Sequence, residues 1–375
     1  ASEDKTLKLW DLSPNYDAGH SDGHMGAVTA CFVSEGGSPL ITASEDQTIK
    51  LWDPYTGTVQ QTLIGHSEAV SACALFADGK RLVSTSPDGT TVVWDLVAGH
   101  ETLRIVHNPQ ARADRGSQPS SAHLAIPSED HMIELWGMPL DNSKRAESAM
   151  VGRVRTCALT RDSRYLITGA GDRLLRLWDL NTGAELLRFA GHSGAVNSCA
   201  VLPDGKRLLS ASSDRLLILW QLENGSEVLR MTGHAGSVNT CVVSADGRRA
   251  LSGSHDKTLR LWDLASGAEL IRLSGHSAPV TACLITDDGR RAISASLDYT
   301  LRIWDLMSGM CIETIYGSSA YLCLAAGADW LLAGDQAGNV WILRDQMTST
   351  PSSETRLTRQ SLMESVRKFL SRSSR

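Results

Sequence analysis

Residues 185–220 read ELLRFAGHSGAVNSCAVLPDGKRLLSASSDRLLILW, and residues 227–262 read EVLRMTGHAGSVNTCVVSADGRRALSGSHDKTLRLW. The second stretch repeats the first at an offset of 42 residues. Within the first, Glu185–Phe189 predicts an outer strand and Gly191-His192 the loop that follows it. Residues 195–202 predict an apolar-rich inner strand, and Pro203-Asp204-Gly205 turns the chain back. Residues 207–211 form the next strand, a short turn holds Asp214, and residues 216–220 complete the unit. Asp-Gly between apolar runs is a strong hairpin signal, because both residues tolerate positive φ. The dipeptide recurs at Asp78-Gly79, Asp246-Gly247 and Asp288-Gly289. Asn181-Thr182-Gly183, Ser266-Gly267 and Ser308-Gly309 mark a second hairpin. Short antiparallel strands throughout make the expected class all-β.

The same beat runs along the chain. Tryptophan stands at 10, 52, 94, 136, 178, 220, 262 and 304, and Asp precedes each by six places, from Asp4 to Asp298. Gly-His pairs occur at 23–24, 65–66, 191–192, 233–234 and 275–276, and cysteine at 31, 73, 157, 199, 241 and 283. A period of about 40–45 residues ending in Trp-Asp marks four-stranded propeller blades. Over roughly residues 1–346 the chain resembles the WD-repeat β-propeller family. That resemblance implies, in each blade, a hydrogen-bond network of His, Ser or Thr, Asp and the Trp N–H. Five repeats carry the full set. The first two are His24 with Thr42, Asp46 and Trp52, and His66 with Ser84, Asp88 and Trp94. The others are His192 with Ser210, Asp214 and Trp220, His234 with Ser252, Asp256 and Trp262, and His276 with Ser294, Asp298 and Trp304. Repeat ends at 53, 95, 137, 179, 221, 263, 305 and 343 give eight blades in one ring. Seven blades plus a remnant of a preceding propeller is the rival count.

A His–Asp–Ser grouping invites a catalytic-triad reading, but five copies of a nucleophile without an oxyanion loop argue for structural networks. No phosphate loop, dinucleotide fingerprint, HExxH or GxSxG appears, so neither enzyme activity nor a cofactor is expected. Six cysteines share one blade position, with Cys323 as a seventh. Side chains so placed around a ring do not face each other as a disulfide requires. They read as small buried hydrophobes, with no zinc-ligand spacing. Free thiols in this number suit a reducing compartment, hence the cytoplasm. No apolar run approaches the ~20 residues of a membrane span.

The expected domain organisation is a truncated repeat at 1–12, a propeller at 13–346, and a linker and tail at 347–375. Ala1–Asp11 matches Ala43–Asp53, so the chain reads as part of something longer. Residues 107–127 keep the phase of Asp130 and Trp136 but lose Gly-His and the cysteine, which predicts a weakly formed blade. The last repeat has Tyr316-Gly317 in place of Gly-His. In the tail, Leu362, Met363, Val366, Phe369 and Leu370 share one helical face. Six of the 36 basic and two of the 42 acidic side chains lie in 347–375, leaving that segment net +4 and the rest net −10. A basic amphipathic helix can dock to a partner or lie on an anionic membrane surface. The acidic remainder argues against nucleic acid.

What is left is a non-catalytic display surface for a protein or peptide partner, or for an effector domain of the same protein. The near-identical repeats and the ending Ala333-Gly334-Asp335…Gly338…Val340 resemble the sensor propellers that end bacterial signalling proteins with NTPase or Toll-like effectors. A free-standing scaffold is the alternative, and a propeller enzyme with a channel site a more distant one. In the family, residues flanking the turn Asp and the start of the first strand line the binding face. Here most of the latter are small (Ala27, Thr29, Ala69, Ser71, Ala195, Asn197). The exceptions are Arg153, Arg155, Arg173, Arg215, His255 and Lys257, which suggest a sector for an acidic partner.

Overall fold

The computed structural model describes residues 23–34, 37–106, 123–128, 131–136, 154–327 and 330–344. The ends expected at 1–12 and 347–375, the tail residues Leu362, Met363, Val366, Phe369 and Leu370, and Arg153 lie outside them. The described chain is all strand and turn. Blade one runs Val28–Val33, Leu40–Ser44, Thr48–Trp52 and Val59–Ile64, paired in sequence order from the centre outward. Each strand pair is antiparallel, and a bulge at the start of the inner strand (Val28 to Ala30) recurs in other blades. Burial explains the order. Middle strands such as Leu40–Ser44 and Arg291–Ser296 are buried almost throughout, whereas the outer Val59–Ile64 alternates with solvent.

Seven inner strands meet around the centre: Val28–Val33, Ala72–Leu75, Val154–Leu159, Val196–Val201, Val238–Val243, Val280–Ile285 and Tyr321–Ala326. They open blades one to seven in that order. A side chain at the top of one inner strand bonds the next blade's backbone at most junctions. Thr29 donates to the Val70 carbonyl, Ser71 to Val154 (2.8 Å), Asn197 to Val238 (2.9 Å), Asn239 to Val280 (2.8 Å) and Thr281 to Tyr321 (2.7 Å). Between blades three and four, Cys199 N–H donates to Thr156 Oγ1 (3.2 Å). The Cys323 thiol, 3.5 Å from the Val28 carbonyl, closes blade seven on blade one. Between the blades lie apolar layers, such as Leu103 and Ile105 of blade two against Leu166 and Trp178 of blade three.

The ring therefore has seven blades, and the expectation of eight is corrected. The rival count placed the surplus at the N-terminus, but Val28–Trp52 is a full member of the ring. The surplus is the stretch ending in Trp136. His123–Ser128 and His131–Trp136 pair with each other and extend blade two beyond His100–Val106 into a six-stranded sheet. No described inner strand accompanies them, and two strands without one have nothing to hold at the centre. Ser71 instead reaches past them to Val154.

A second correction concerns the outer strand. Glu185–Phe189 pairs with Leu175–Asp179 and so belongs to blade three, not to the blade that ends at Trp220. The sequence repeat is staggered by one strand against the structural blade. The short hairpin at Asn181–Gly183 holds that strand locally, while the Gly-His loop crosses to the next blade. Blade seven has three described strands, Tyr321–Ala326, Trp330–Asp335 and Val340–Arg344.

Seven-fold closure makes a direct prediction. Phe189 and Val196 are joined by the six residues 190–195. Joining Val106 to Val154 through that six-residue segment should leave a cooperatively folded ring, with Tm within about 5 °C of the parent by thermal melting, because ring contacts are untouched. Loss of folding would mean that the excised stretch holds an eighth place.

Candidate functional site

One face of the ring carries the Gly-His loops, the turns that hold the repeated Asp, and the tops of the inner strands. All five full networks are brought together there. His192 Nδ1 lies 2.8 Å from Asp214 Oδ2, His192 Nε2 lies 2.7 Å from Ser210 Oγ, and Trp220 Nε1–H donates to the same hydroxyl at 2.8 Å. Blade one repeats this with a threonine. His24 meets Asp46 at 2.9 Å and Thr42 at 2.8 Å, and Trp52 donates to Thr42 at 2.7 Å. In blade five, His234 meets Asp256 at 2.9 Å and Ser252 at 2.7 Å, and Trp262 donates to Ser252 at 2.8 Å. In blade six, His276 meets Asp298 at 2.8 Å and Ser294 at 2.7 Å, and Trp304 donates to Ser294 at 2.8 Å. His66 differs. Its Nδ1 is 2.9 Å from Thr90 Oγ1 and 3.4 Å from Asp88 Oδ2, while Nε2 meets Ser84 and Trp94 donates to Ser84.

Donor counting fixes the proton arrangement. A carboxylate only accepts, so His192 carries its proton on Nδ1; Nε2 then accepts from Ser210, which in turn accepts from Trp220. The residues that supply the shared hydroxyl, Thr42, Ser84, Ser210, Ser252 and Ser294, are all fully buried. So are the rings of Trp220, Trp262 and Trp304, which leaves their N–H groups no water to turn to. Asp214 Oδ2 also accepts from the Ser193 N–H, and Oδ1 from the Leu216 N–H, so the carboxylate clamps the loop and the turn together.

These surroundings set the ionisation. Burial lowers the pKa of His24, His192, His234 and His276 from 6.5, against the opposing pull of their aspartates. Burial pushes the aspartates up, but hydrogen bonds more than offset it. Thr48, His24 and the Met25 N–H bring Asp46 down to about 2, and Thr300, the Ser277 N–H and His276 do the same for Asp298. Asp88, Asp214 and Asp256 are lowered likewise.

Blades three and seven lack the full set. In blade three, Trp178 still donates to Thr168 (2.9 Å), but Asp172 pairs with Arg176. In blade seven, Asp335 lies two residues earlier than the usual turn Asp. It accepts from the N–H groups of Ala337 and Asn339, from Asn339 Nδ2 and from Trp341 Nε1. The turn residue Gly338 sits at φ 89°, and a Cβ there would lie 2.4 Å from the His24 carbonyl oxygen. Only glycine lets blade seven approach the first His loop so closely.

The structure places the small first-strand residues as well. Thr29, Ser71 and Asn197 are ring-closing donors, a role visible in sequence only as polarity recurring at one repeat position. Arg155, in the same column, is exposed and donates to Asn197 Oδ1 at 2.9 Å. Arg173, Arg215 and Lys257 are exposed at one turn position in blades three, four and five, and His255 is exposed two residues before Lys257. None of Arg155, Arg173, Arg215 and Lys257 has a carboxylate within ion-pair distance among the described residues. Seven described cysteines are buried and all eight are free thiols. Burial raises Cys199 and Cys283 to about 12, far from thiolate reactivity.

Asp214→Ala leaves His192 Nδ1–H and the Ser193 and Leu216 N–H groups without acceptors, whereas the Trp220 N–H keeps Ser210. The expected loss is about 1–3 kcal/mol by denaturant unfolding. The pH dependence follows from the same groups. Below about pH 6.5 the unfolded chain takes up protons that native His24, His192, His234 and His276 refuse. Below the ordinary aspartate value of 3.8 it does so again at the clamped carboxylates. Stability should therefore fall in two stages as pH drops; a Tm that stays flat from about pH 7.5 to 4.5 would contradict the assigned histidine states.

Comparison with known families places matches to "WD domain, G-beta repeat" at residues 18–53, 57–95, 148–179, 183–221, 225–263 and 267–305. No curated protein matches the chain. The six matches skip the surplus strands on blade two, and blade seven is a ring member without a match of its own. Periodicity, blade topology and family matches agree: the chain belongs to the WD-repeat family of β-propellers.

Proposed function

We propose that this propeller is a non-catalytic platform whose Gly-His face receives an acidic protein segment over blades three to five. Propellers of this family are generally protein-interaction platforms. The observation supporting the finer reading is the run of exposed cations Arg155, Arg173, Arg215 and Lys257 on consecutive blades, unpaired with any described carboxylate. Cations elsewhere are often paired, as Arg81 is with Asp78 and Arg207 with Asp204. Arginine that is exposed, long and already oriented is the residue type that anchors interfaces. On blades one and two the same turn column holds Gln47 and Gly89, with Glu45 and Glu68 nearby, so the face is electrically lopsided. Complementary charge would steer an acidic partner to one sector.

The terminal pattern Ala333-Gly334-Asp335…Gly338…Val340 supports a sensor or regulatory role within a larger cytoplasmic signalling protein, with a free-standing scaffold as the alternative. The sector is tested first. A fluorescent octaglutamate peptide should bind at low salt, with affinity falling as salt rises. Charge reversal at Arg155 and Arg215 together should weaken it at least ~10-fold, while reversal at Lys50 and Lys80 should change it less than ~3-fold. Equal effects would remove the sector from the reading.

A further inference from the structure

The turn column that holds Arg173, Arg215 and Lys257 is costly to occupy. Each residue closes its turn in the left-handed region, with φ of 75°, 75° and 71°. Gln47 (73°) in blade one and Tyr299 (65°) in blade six do the same. Blades two and seven solve the same turn with Gly89 and Gly338. Glycine is the residue this conformation favours, since any Cβ crowds the backbone there. The hydrogen bonds that these residues themselves give the turn come from their backbone: Arg215 N–H to the Ser212 carbonyl, Lys257 to Ser254, Tyr299 to Ser296. The long side chains thus add nothing to closing the turn.

Blade six departs from the cationic run. Leu297, Tyr299 and Tyr316 are 39%, 52% and 79% exposed, which leaves a substantial apolar area open on this blade. Leu297 and Tyr299 flank Asp298 in the turn, and Tyr316 stands on the neighbouring strand. Tyr316 is paired across the sheet with Thr300, and the Gly317 N–H donates to the Tyr299 carbonyl at 2.7 Å. In blade four the same positions hold Ser213, Arg215 and Thr232, and in blade five His255, Lys257 and Ser274. Large apolar side chains at all three positions are a property of blade six among the described blades.

We propose that Arg173, Arg215, Lys257 and Tyr299 form one recognition row, kept against backbone strain. Its partner is an acidic peptide segment carrying a large apolar side chain at one end, which seats on Leu297, Tyr299 and Tyr316. This rests on the basic-sector reading above and adds the apolar anchor and the polarity of the bound segment. Charge complementarity along blades three to five places the acidic part. The exposed apolar group at the end of that run places the anchor, and partial burial of leucine-sized surface is enough for a severalfold gain in affinity.

The test uses three labelled peptides: octaglutamate, and octaglutamate with two leucines at its amino or its carboxyl end. The whole chain should bind one of the leucine-ended peptides about 5–10-fold more tightly than octaglutamate, and the other should gain little. Tyr299→Gly should abolish that preference and leave octaglutamate binding unchanged. Arg173→Gly, Arg215→Gly and Lys257→Gly should each weaken all three peptides. Every one of these glycine variants should melt at the parent Tm or slightly above it, because relief of strain offsets the added unfolded-chain entropy. A clear fall in Tm would assign these side chains to the fold and overturn the proposal. Binding of all three peptides with equal affinity, unaffected by Tyr299→Gly, would overturn the anchor while leaving the basic sector standing. No binding by any peptide would overturn both.

Discussion

A four-stranded antiparallel sheet with apolar side chains on both faces cannot stand in water alone. Each blade here buries one face against the blade before it and the other against the blade after, and that requirement is met everywhere only if the row closes on itself. Closure is carried by the inner strands. At their tops, side-chain donors reach the next blade's backbone at most junctions, from Thr29 on Val70 to Thr281 on Tyr321, and the Cys323 thiol meets Val28 where the ring shuts. The small polar column thus belongs to the ring rather than to its binding surface. Arg155, in the same column, bonds the side chain of Asn197 on the next blade instead of its backbone and stays exposed.

The His–Ser–Asp–Trp networks act on a different scale, inside one blade. They solve a local problem: a loop must cross from the outer edge of one blade to the centre of the next and still be tied to the second blade's strands. Asp214 does this by accepting from the loop at Ser193, from the turn at Leu216 and from the His192 ring. Buried polar groups of this kind stabilise only when every partner is present, because a lone buried donor costs more than a made bond returns. Blade seven shows that the arrangement can be met differently. Asp335 moves two positions, takes the Trp341 N–H directly and leaves the glycine turn free to rest on His24.

Against that rigid frame, the recognition row runs counter to stability. Five non-glycine residues hold a left-handed turn that glycine fills in blades two and seven, and three of the five are cations on neighbouring blades. A cost accepted repeatedly at one exposed position is easiest to understand if the side chains are needed for contacts outside the chain.

Sequence alone determined the strands and the turns, because these live at fixed short separations. The resemblance to the WD-repeat family supplied the membership of the networks, all but the Thr90 hydroxyl on His66. His192, Ser210, Asp214 and Trp220 keep their spacing in every full repeat, and a hairpin at Pro203-Asp204-Gly205 has one local solution. Tertiary structure decided what no local spacing encodes. Whether a repeat becomes a blade depends on an inner strand reaching the centre. The stretch ending in Trp136 kept the 42-residue phase, yet its strands lie at the edge of blade two. The outer strand Glu185–Phe189 joins the preceding three strands, pairing with Leu175–Asp179, because a short hairpin is easier to close than a loop crossing between blades. The column of Arg173, Arg215 and Lys257 was legible as letters; the backbone strain beneath it, and the apolar group on blade six that ends the row, appear only once the chain is folded.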